Sequence, residues 1–374
     1  MIETLAELGE FERLGEQWRE LQLRSSSRSL FSTWEWLFTW WKHLSAGRHL
    51  NLLVVRQAGQ IAAIAPLSVR PSRVSKLLPF RALELLGRGS VGSDYLDLIV
   101  GRGTESEAIE EIAGHLHQLR LPMELPQVLL NGSKAGLLAQ RLAPRGWRVS
   151  SSATNVCPYI NLAGHDWASY AATLGTAHRA NLGRRIRGLE KVDDVRLEAV
   201  SSEKERHTAL DHMMALHNAR WKQLGGSDAF DTPEIAGFHH EFSAVALRNG
   251  WLRLMVLRVG AVPVAYLYGF RHESVFYFYQ SAFDPAWSDR SVGLVAMGLA
   301  IRSAIEEGAG EFDLLHGGER YKRHWAKEER AIGRVDIHPP LIRGWITSGA
   351  AELGRAARVV GRSLLSASGR GPVA

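Results

Sequence analysis

The sequence is poor in cysteine and has no long apolar run. Its 374 residues contain one cysteine, Cys157, which excludes an intramolecular disulfide and is typical of a reducing compartment. No segment reaches the roughly 18–20 consecutive apolar residues of a membrane-spanning helix, and the start lacks the basic and apolar regions of a signal peptide. We therefore expect a cytoplasmic protein.

Patterns for metal binding and covalent catalysis are also absent. There is no H-E-x-x-H, no paired C-x-x-C and no G-x-S-x-G. His239 and His240 are adjacent on a predicted helix, where their side chains face apart, so we expect no metal site. Residues 87–92 read G-x-G-x-x-G but precede a predicted strand (Tyr95 to Val100), which does not fit dinucleotide binding. We interpret them as a loop in which Asp94 and Tyr95 could border a ligand cleft.

The length of the chain bears on the number of domains, and its net charge bears on the class of partner. A chain of 374 residues with 45% hydrophobic content predicts two domains with ample cores. The net charge of +6 indicates anionic partners, among them CoA, nucleotide-sugars, nucleic acid and acidic lipid. No zinc-finger spacing or aromatic ribonucleoprotein signature accompanies the charge, so nucleic acid has no independent support.

One segment, from Ser274 to Trp325, has the order expected of a binding site. Its first part is aromatic and alternating, which predicts a strand with Tyr277, Tyr279 and Ser281 on one face. Helical spacing follows, up to a glycine suited to a helix C-terminus. The segment reads as strand 274–281, a turn, a helix ending at Gly308 and strand 311–315.

The turn between the first strand and the helix has the character of an anion site. A strand that leads into a glycine at a helix start leaves backbone N–H groups directed outward, which suits a pyrophosphate. The residues resemble the acyl-CoA loop of GNAT acyltransferases, Q/R-x-x-G-x-G/A, with Arg290 and Gly293 matching. Val295 stands where the pattern has Gly or Ala and could crowd the pyrophosphate. The predicted cofactor-binding residues are Arg290, Ser291, Val292, Gly293 and Leu294.

The resemblance extends to one subgroup, the CelD-like two-domain GNAT proteins of bacterial polysaccharide clusters, which are related to Fem-type aminoacyl transferases. Four segments carry it: residues 31–44, 216–226, 277–293 and 311–326. It implies an acyl-CoA-dependent N- or O-acyltransferase, with acetyl-CoA as donor and a sugar-containing acceptor in polysaccharide (for example cellulose) or cell-envelope biosynthesis.

The expected fold is α/β (α+β), with two tandem GNAT-like domains, each a mixed central sheet flanked by helices. The repeated order of predicted elements suggests an internal duplication. We place a degenerate domain that shapes the acceptor site at residues 1–153 and the acyltransferase domain at 154–340. A basic amphipathic helix at 341–374 would dock on protein or on an anionic membrane.

Catalytic candidates come from the two predicted strands and the loop that follows. In the GNAT family, backbone N–H groups of the strand before the turn polarise the thioester carbonyl. Tyr279 could donate to the leaving thiolate, or pack across strands. Asp313 could act as general base or orient the acceptor, or cap the next turn. His316 is a second base candidate, since it titrates near physiological pH.

Substrate-binding candidates are Lys322, Tyr321, Gln280 and Trp36. Lys322 and Tyr321 match the YK pair of the resembled subgroup, where the lysine could hold a phosphate or an acceptor hydroxyl, or remain solvated. Trp36 belongs to a tryptophan-rich helix from Thr33 to Leu44. That helix could form an aromatic wall for a sugar or pack a core.

The sequence leaves two alternative functions open, a transferase that uses aminoacyl-tRNA and a noncatalytic scaffold. A basic helix from His178 to Lys191 could clamp an anion such as the CoA 3′-phosphate or form a solvated face. In a Fem-type transferase, it would instead hold aminoacyl-tRNA as the donor. The other alternative is a noncatalytic scaffold of a membrane-bound synthase, anchored at the inner face of the membrane by the tail helix.

Overall fold

A computed structural model describes residues 1–26, 29–71, 81–223, 230 and 232–340. The predicted tail helix at 341–374 lies outside the described residues, as does the end of the segment 216–226. Within the described part of the chain, no helix combines the length and apolar character needed to cross a membrane.

The elements alternate along the chain in two series, and most match the sequence expectations. The strands are β1 (Ile2–Leu5), β2 (His49–Gln57), β3 (Gln60–Pro71), β4 (Arg81–Leu85), β5 (Ile99–Val100), β6 (Met123–Leu129), β7 (Arg148–Asn161), β8 (Val195–Ala199), β9 (Leu252–Val259), β10 (Val262–His272), β11 (Val275–Phe283), β12 (Glu311–Asp313) and β13 (Glu328–His338). The helices are α1 (Leu8–Arg13), α2 (Gly15–Arg24), α3 (Trp34–Leu44), α4 (Glu105–Leu119), α5 (Lys134–Leu142), α6 (Trp167–Thr173), α7 (Thr176–Glu190), α8 (Glu203–Gln223), α9 (Pro233–Arg248) and α10 (Val292–Glu306).

All these strands belong to one mixed sheet, in which a single pattern occurs twice. Strands β1 to β4 form an antiparallel series, and β4 then pairs in parallel with β6. Strands β8 to β11 repeat the series, and β11 pairs in parallel with β12. The predicted fold class, a mixed α/β sheet flanked by helices in two similar halves, is confirmed.

The two halves are joined by exchanged strands. β7 pairs with β12 of the second half, whereas β13 pairs with β6 of the first half. β7 and β13 also pair with each other, from Tyr159 opposite Glu328 to Arg148 opposite His338. Each half is therefore completed by a strand from the other. Position 153, the predicted domain boundary, falls inside β7, and the division into domains stays a prediction.

Two predicted elements differ from the structure. The amphipathic pattern of residues 8–22 is divided into α1 and α2 at Leu14. The predicted strand from Tyr95 to Val100 is wrong, because among the described strands only its last two residues, Ile99 and Val100, find a partner. Tyr95 has a φ of 57°, a left-handed conformation that interrupts an extended strand. The loop instead crosses to β6, where the Leu96 amide donates to the Gln127 carbonyl at 3.0 Å.

The tryptophan-rich helix packs the halves together. Trp36 and Trp40 of α3 are fully buried. The ring of Trp36 lies edge-on against Phe238 and Phe242 of α9, with centroids 4.9 and 4.6 Å apart. At the end of the same interface, His43 Nε2 lies 2.8 Å from Glu241. α3 is thus a core helix, which agrees with the packing interpretation of its tryptophans.

The exchanged strand β13 offers a direct test of this packing. A methyl group at Gly333 would lie 2.4 Å from the Ser152 carbonyl oxygen of β7 and 2.5 Å from Leu130. We expect Gly333→Ala to lower the free energy of unfolding by about 1–3 kcal/mol, because backbone atoms must shift to accept it. The measurement is the midpoint of urea unfolding.

Gly188→Ala is the matched control. Gly188 lies on the exposed side of α7 with nothing within 4 Å of the added methyl, so alanine should stabilise the protein by about 0.4–1 kcal/mol. Equal effects of the two substitutions would contradict the tight β7–β13 contact.

Candidate active site

A cleft opens where the parallel strands β11 and β12 part. Their pairing ends at Tyr277 opposite Asp313, while β11 continues to Phe283. β11 also bulges, since Phe278 lies opposite Gly269 and Gln280 lies opposite Tyr268, which leaves Tyr279 as the extra residue. Residues 280–283 therefore have no partner strand on the side of β12 in the part of the chain that the structure describes. We call this gap the β11–β12 cleft.

The bulge changes which side chains share a face. Tyr277 and Tyr279 both contact the main hydrophobic core, as the alternation predicted. Beyond the bulge, Ala282 rather than Ser281 joins that core, so the predicted placement of Ser281 on the same face is wrong. The extra residue shifts the period-two pattern by one position.

The predicted anion turn stands at the end of this cleft. A short 3₁₀ helix, Pro285–Arg290, is followed by Ser291 in the left-handed conformation (φ 55°) and then by α10. Among the described residues, the amides of Val292 and Gly293 have no protein acceptor. Gly293 is exposed, and a methyl group there would meet only Phe283, at 3.7 Å. The turn therefore offers free N–H groups at the positive end of a helix.

Val295 does not crowd this turn. Its side chain is fully buried in a cluster with Leu257 and Val264 on the sheet side of α10. Val292 is likewise buried and Leu294 packs against a neighbouring cluster, so the side chains available to a ligand are those of Ser291 and Arg290. Arg290 is exposed, with its guanidinium 5.5 Å from the centre of the Trp287 ring.

His316 faces the cleft and is held by a carboxylate from the first half. Its Nδ1 lies 2.9 and 3.0 Å from the two oxygens of Asp94, and its backbone amide donates to Asp94 at 2.8 Å. Asp94 is fully buried and also accepts a hydrogen bond from Gln127 Nε2 at 3.1 Å. The hydrogen bond between Asp94 and the His316 ring raises the pKa of His316, and burial opposes the rise. Nε2 of His316 has no partner among the described residues and remains available to a substrate.

Asp313 and Lys322 support the turn that carries His316. Asp313 accepts a hydrogen bond from the Leu315 amide at 2.8 Å, and Lys322 Nζ donates to the carbonyls of Leu315 and His316 at 3.2 and 2.7 Å. Both side chains are almost completely buried. Burial raises the pKa of Asp313 to about 7, opposed by its hydrogen bonds and by the charge of Arg330. A catalytic role for Asp313 and a ligand contact for Lys322 stay predictions.

Tyr279 closes the cleft on the other side. Its hydroxyl donates to the Val91 carbonyl and lies 3.4 Å from Nε2 of His239. A methyl group at Gly92 would lie 3.5 Å from Cε1 of His316 and 3.9 Å from the Tyr279 hydroxyl. Gly92 of the first-half loop therefore separates the two candidate groups, and its lack of a side chain keeps that space open.

Of the other predicted substrate-binding residues, the structure places two at the surface and one in the core. Tyr321 is 44% exposed, and Gln280 is half-buried with its side chain accepting the Ser281 amide at 3.0 Å. Trp36 lies in the core, where its indole N–H donates to Ser93 at 2.9 Å. Direct contact between Trp36 and a sugar would require this core to open, and its substrate role stays a prediction.

The outer rim of the site is basic. The guanidinium of Arg220, on α8, lies 5.0 Å from the centre of the Phe283 ring at the end of β11. Arg185 of α7 donates to the Asp289 carbonyl at 2.7 Å, which places that helix beside the anion turn. Among the described residues, no carboxylate pairs with the basic side chains of α7. These are Arg179, Arg184, Arg185 and Arg187, and Lys191, also without a carboxylate partner there, caps the helix at its end.

Sequence reasoning missed His239 and Arg220. His239 is fully buried on α9, and burial lowers its pKa to about 3, with a smaller contribution from His240, so the ring beside Tyr279 is neutral. The adjacent pair of histidines, His239 and His240, is the sequence signal for this residue. The sequence predicts Asp94 as a loop residue near a cleft. It does not show the partner of Asp94, because His316 lies 222 residues further along the chain.

Comparison with known proteins agrees with this geometry. Residues 176–323 match the family model described as Acetyltransferase (GNAT) domain. The structure resembles FemX with a TM-score of 0.61 and 12% identity, covering 87% of this chain and 96% of that chain. It resembles L-PGS from Bacillus licheniformis with a TM-score of 0.53 and 11% identity, covering 93% and 96%. No curated protein sequence matches the chain.

A third similar structure is a C-terminal domain from Agrobacterium fabrum assigned to a lysylphosphatidylglycerol synthetase, with a TM-score of 0.56, 12% identity and coverage of 93% and 96%. At such low identities these likenesses concern the fold. The family model covers the β11–β12 cleft, the anion turn and His316. Residues 176–323 therefore form a GNAT acetyltransferase domain, and the fold of the whole chain resembles that of FemX.

Proposed function

We propose that the protein transfers an acyl group from acyl-CoA, with acetyl-CoA as the expected donor, to an amino or hydroxyl group of a sugar-containing acceptor. One observation carries the proposal: a turn with free amides and an imidazole held by a buried carboxylate lie at the same parted strands. An anion site supports a CoA donor, and a base supports transfer to an acceptor.

The donor would bind along the β11–β12 cleft. The amides of Val292 and Gly293 suit the pyrophosphate, and Arg290 lies beside them. The unpaired edge of residues 280–283 offers backbone groups to the pantetheine chain and the thioester carbonyl. Hydrogen bonds from fixed amides stabilise the negative charge that develops on that oxygen during acyl transfer.

His316 is proposed as the general base. Its Nε2 accepts the proton of the acceptor amine or hydroxyl as the nucleophile attacks the thioester carbonyl carbon. A new C–N or C–O bond forms, the C–S bond breaks, and the proton passes to the departing thiolate. Asp94 holds the other ring nitrogen and stabilises the imidazolium that forms in the process.

Three further residues are given supporting roles. Asp313 and Lys322 position His316 by fixing the backbone of its turn. Tyr279 is proposed to donate a hydrogen bond to the departing thiolate, which takes its proton from His316; for this the Tyr279 hydroxyl must leave the Val91 carbonyl. Burial raises the pKa of Tyr279, so it stays protonated and able to donate at neutral pH.

The proposed class of acceptor is supported by the sequence resemblance and not by the geometry of the cleft. A sugar-containing acceptor, in polysaccharide or cell-envelope synthesis in the cytoplasm, follows from the sequence resemblance to polysaccharide-cluster proteins. Tyr321, which is 44% exposed, and the half-buried Gln280 of β11 are proposed to contact the acceptor. Contact with the membrane through residues 341–374 belongs to the same proposal.

A second candidate donor is aminoacyl-tRNA. It is favoured by the four arginines of α7 and the adjacent Lys191, which have no carboxylate partners among the described residues, and by the likeness of the fold to FemX. A polyanion would neutralise such a face. Both donors carry an activated acyl group, so His316 would keep its role.

Binding of acetyl-CoA distinguishes the donors. A tryptophan at Gly293 would fill the exposed space in front of the free amides. Loss of one charge-assisted hydrogen bond costs about 1.5–3 kcal/mol, so we expect Gly293→Trp to weaken acetyl-CoA binding by roughly 10- to 150-fold in isothermal titration.

Gly9→Trp is the control, since Gly9 lies on α1 in the other half, where only the flexible end of Arg13 is close. It should bind as the wild type does. Unchanged affinity in Gly293→Trp would remove the pyrophosphate site. No acetyl-CoA binding by the wild type, together with salt-sensitive tRNA binding, would favour the second donor.

The titration of His316 tests the proposed base without a substrate. Asp94 raises its pKa above the ordinary value of 6.5, so the ion pair stabilises the fold below that value and is lost as pH rises through the raised pKa. In NMR spectra of ¹³C-labelled histidine, we expect Asp94→Asn to lower the pKa of His316. The resonance is assigned with His316→Asn.

Asp97→Asn is the matched control from the same loop. Asp97 accepts the amides of Lys134 and Ala135 and does not touch His316. The control should leave the pKa of His316 unchanged. A pKa at or below 6.5 in the wild type, or an equal shift in both variants, would argue against the Asp94–His316 pair.

A further inference from the structure

Two helices of the second half bring three metal-binding side chains together away from the cleft. His207 and Asp211 lie one turn apart on α8, and His240 extends from α9. Nε2 of His240 lies 3.0 Å from one oxygen of Asp211, and Nε2 of His207 lies 3.5 Å from the other. The three donor atoms all lie within 4.8 Å of one another.

These distances suit a tetrahedral ion. Bonds of about 2.0–2.1 Å to nitrogen and oxygen place neighbouring ligand atoms about 3.3 Å apart. The rings of His207 and His240 are tilted by 43° with centroids 4.8 Å apart, so their nitrogens can converge without stacking. Small rotamer changes would bring all three donors to one centre.

We propose that His207, Asp211 and His240 bind a divalent transition metal ion, with Zn²⁺ as the best fit. Two imidazoles and one carboxylate are ligands that zinc accepts, whereas Mg²⁺ and Ca²⁺ prefer oxygen donors throughout. The side chains of His207 and Asp211 are 62% and 46% exposed. The fourth position is therefore open to water.

Arg206 preorganises this site. Its guanidinium is buried between the helices and donates to Ser243 at 2.6 Å and to the His240 carbonyl at 3.2 Å. On its own helix, it donates to Glu203 at 2.7 Å. These contacts fix α9 against α8, so that His240 faces Asp211 before an ion arrives. Glu203 also offsets the positive charge next to the proposed cation.

The sequence predicts no metal site because His239 and His240 are adjacent on one helix. Their side chains do face apart: His239 contacts Tyr279 in the core, and His240 points to α8. The other two proposed ligands of the ion, His207 and Asp211, lie on α8. The ion would hold together two helices that border the cleft, and its binding does not depend on the proposed acyl transfer.

The test uses the metal-free full-length protein and Co²⁺ as a spectroscopic probe. We expect visible absorption bands of four-coordinate Co²⁺ that saturate at one equivalent and disappear when Zn²⁺ is added. Asp211→Asn and His240→Asn each remove one ligand. We expect each to weaken binding at least about 100-fold, since loss of an outer hydrogen-bond partner alone costs about 10- to 100-fold.

His212→Asn is the matched control. His212 is exposed on α8, lies 3.4 Å from the Tyr266 hydroxyl and takes no part in the triad. It should keep the Co²⁺ spectrum, and Zn²⁺ should raise the melting temperature of this control and of the wild type but not of Asp211→Asn. Absence of the spectrum in the wild type, or equal affinity in all variants, would overturn the proposal.

Discussion

The pairing of β7 with β13 is the constraint on which the rest of the structure depends. Each strand is contributed by one half of the chain and pairs with a strand of the other, so the two halves share one sheet. This arrangement carries the loop before β5 to the turn after β12. Asp94 thereby reaches His316 across 222 residues of sequence, and a buried carboxylate of one half orients the imidazole of the other.

The two halves have the same strand order but differ where their parallel strands part. In the first half, the gap between β4 and β6 is occupied by the loop of residues 86–98, held by the Leu96–Gln127 hydrogen bond. In the second half, the β11–β12 cleft leads to the anion turn. The loop of residues 86–98, which fills the gap between β4 and β6, thus lines the β11–β12 cleft. Its Gly92 lies beside Tyr279, and its Asp94 lies beside His316. A single duplicated pattern provides both a support and a candidate binding site.

Local patterns predicted much of this structure. The helices of residues 1–340, the hairpins and the turn before α10 have sequence periods and caps that act over a few residues, and they lie at or near their predicted positions. The bulge at Tyr279 was not predicted, because alternation alone does not show an inserted residue. Asp94 with His316, and Asp211 with His240, were not predicted as pairs, since only the assembled sheet and helices bring them together. The position of Val295 in the motif suggests that it crowds the pyrophosphate, whereas core packing sets the direction of its side chain.

The most direct measurement is hydrogen exchange of backbone amides with and without acetyl-CoA. Acetyl-CoA should slow exchange in residues 279–283 and at the start of α10, and should leave exchange at the matching gap between β4 and β6 unchanged. Because Val292 and Gly293 have no protein acceptors among the described residues, their protection would come from the ligand itself. Protection in the first half alone, or no protection at saturating acetyl-CoA, would contradict a donor site at the β11–β12 cleft.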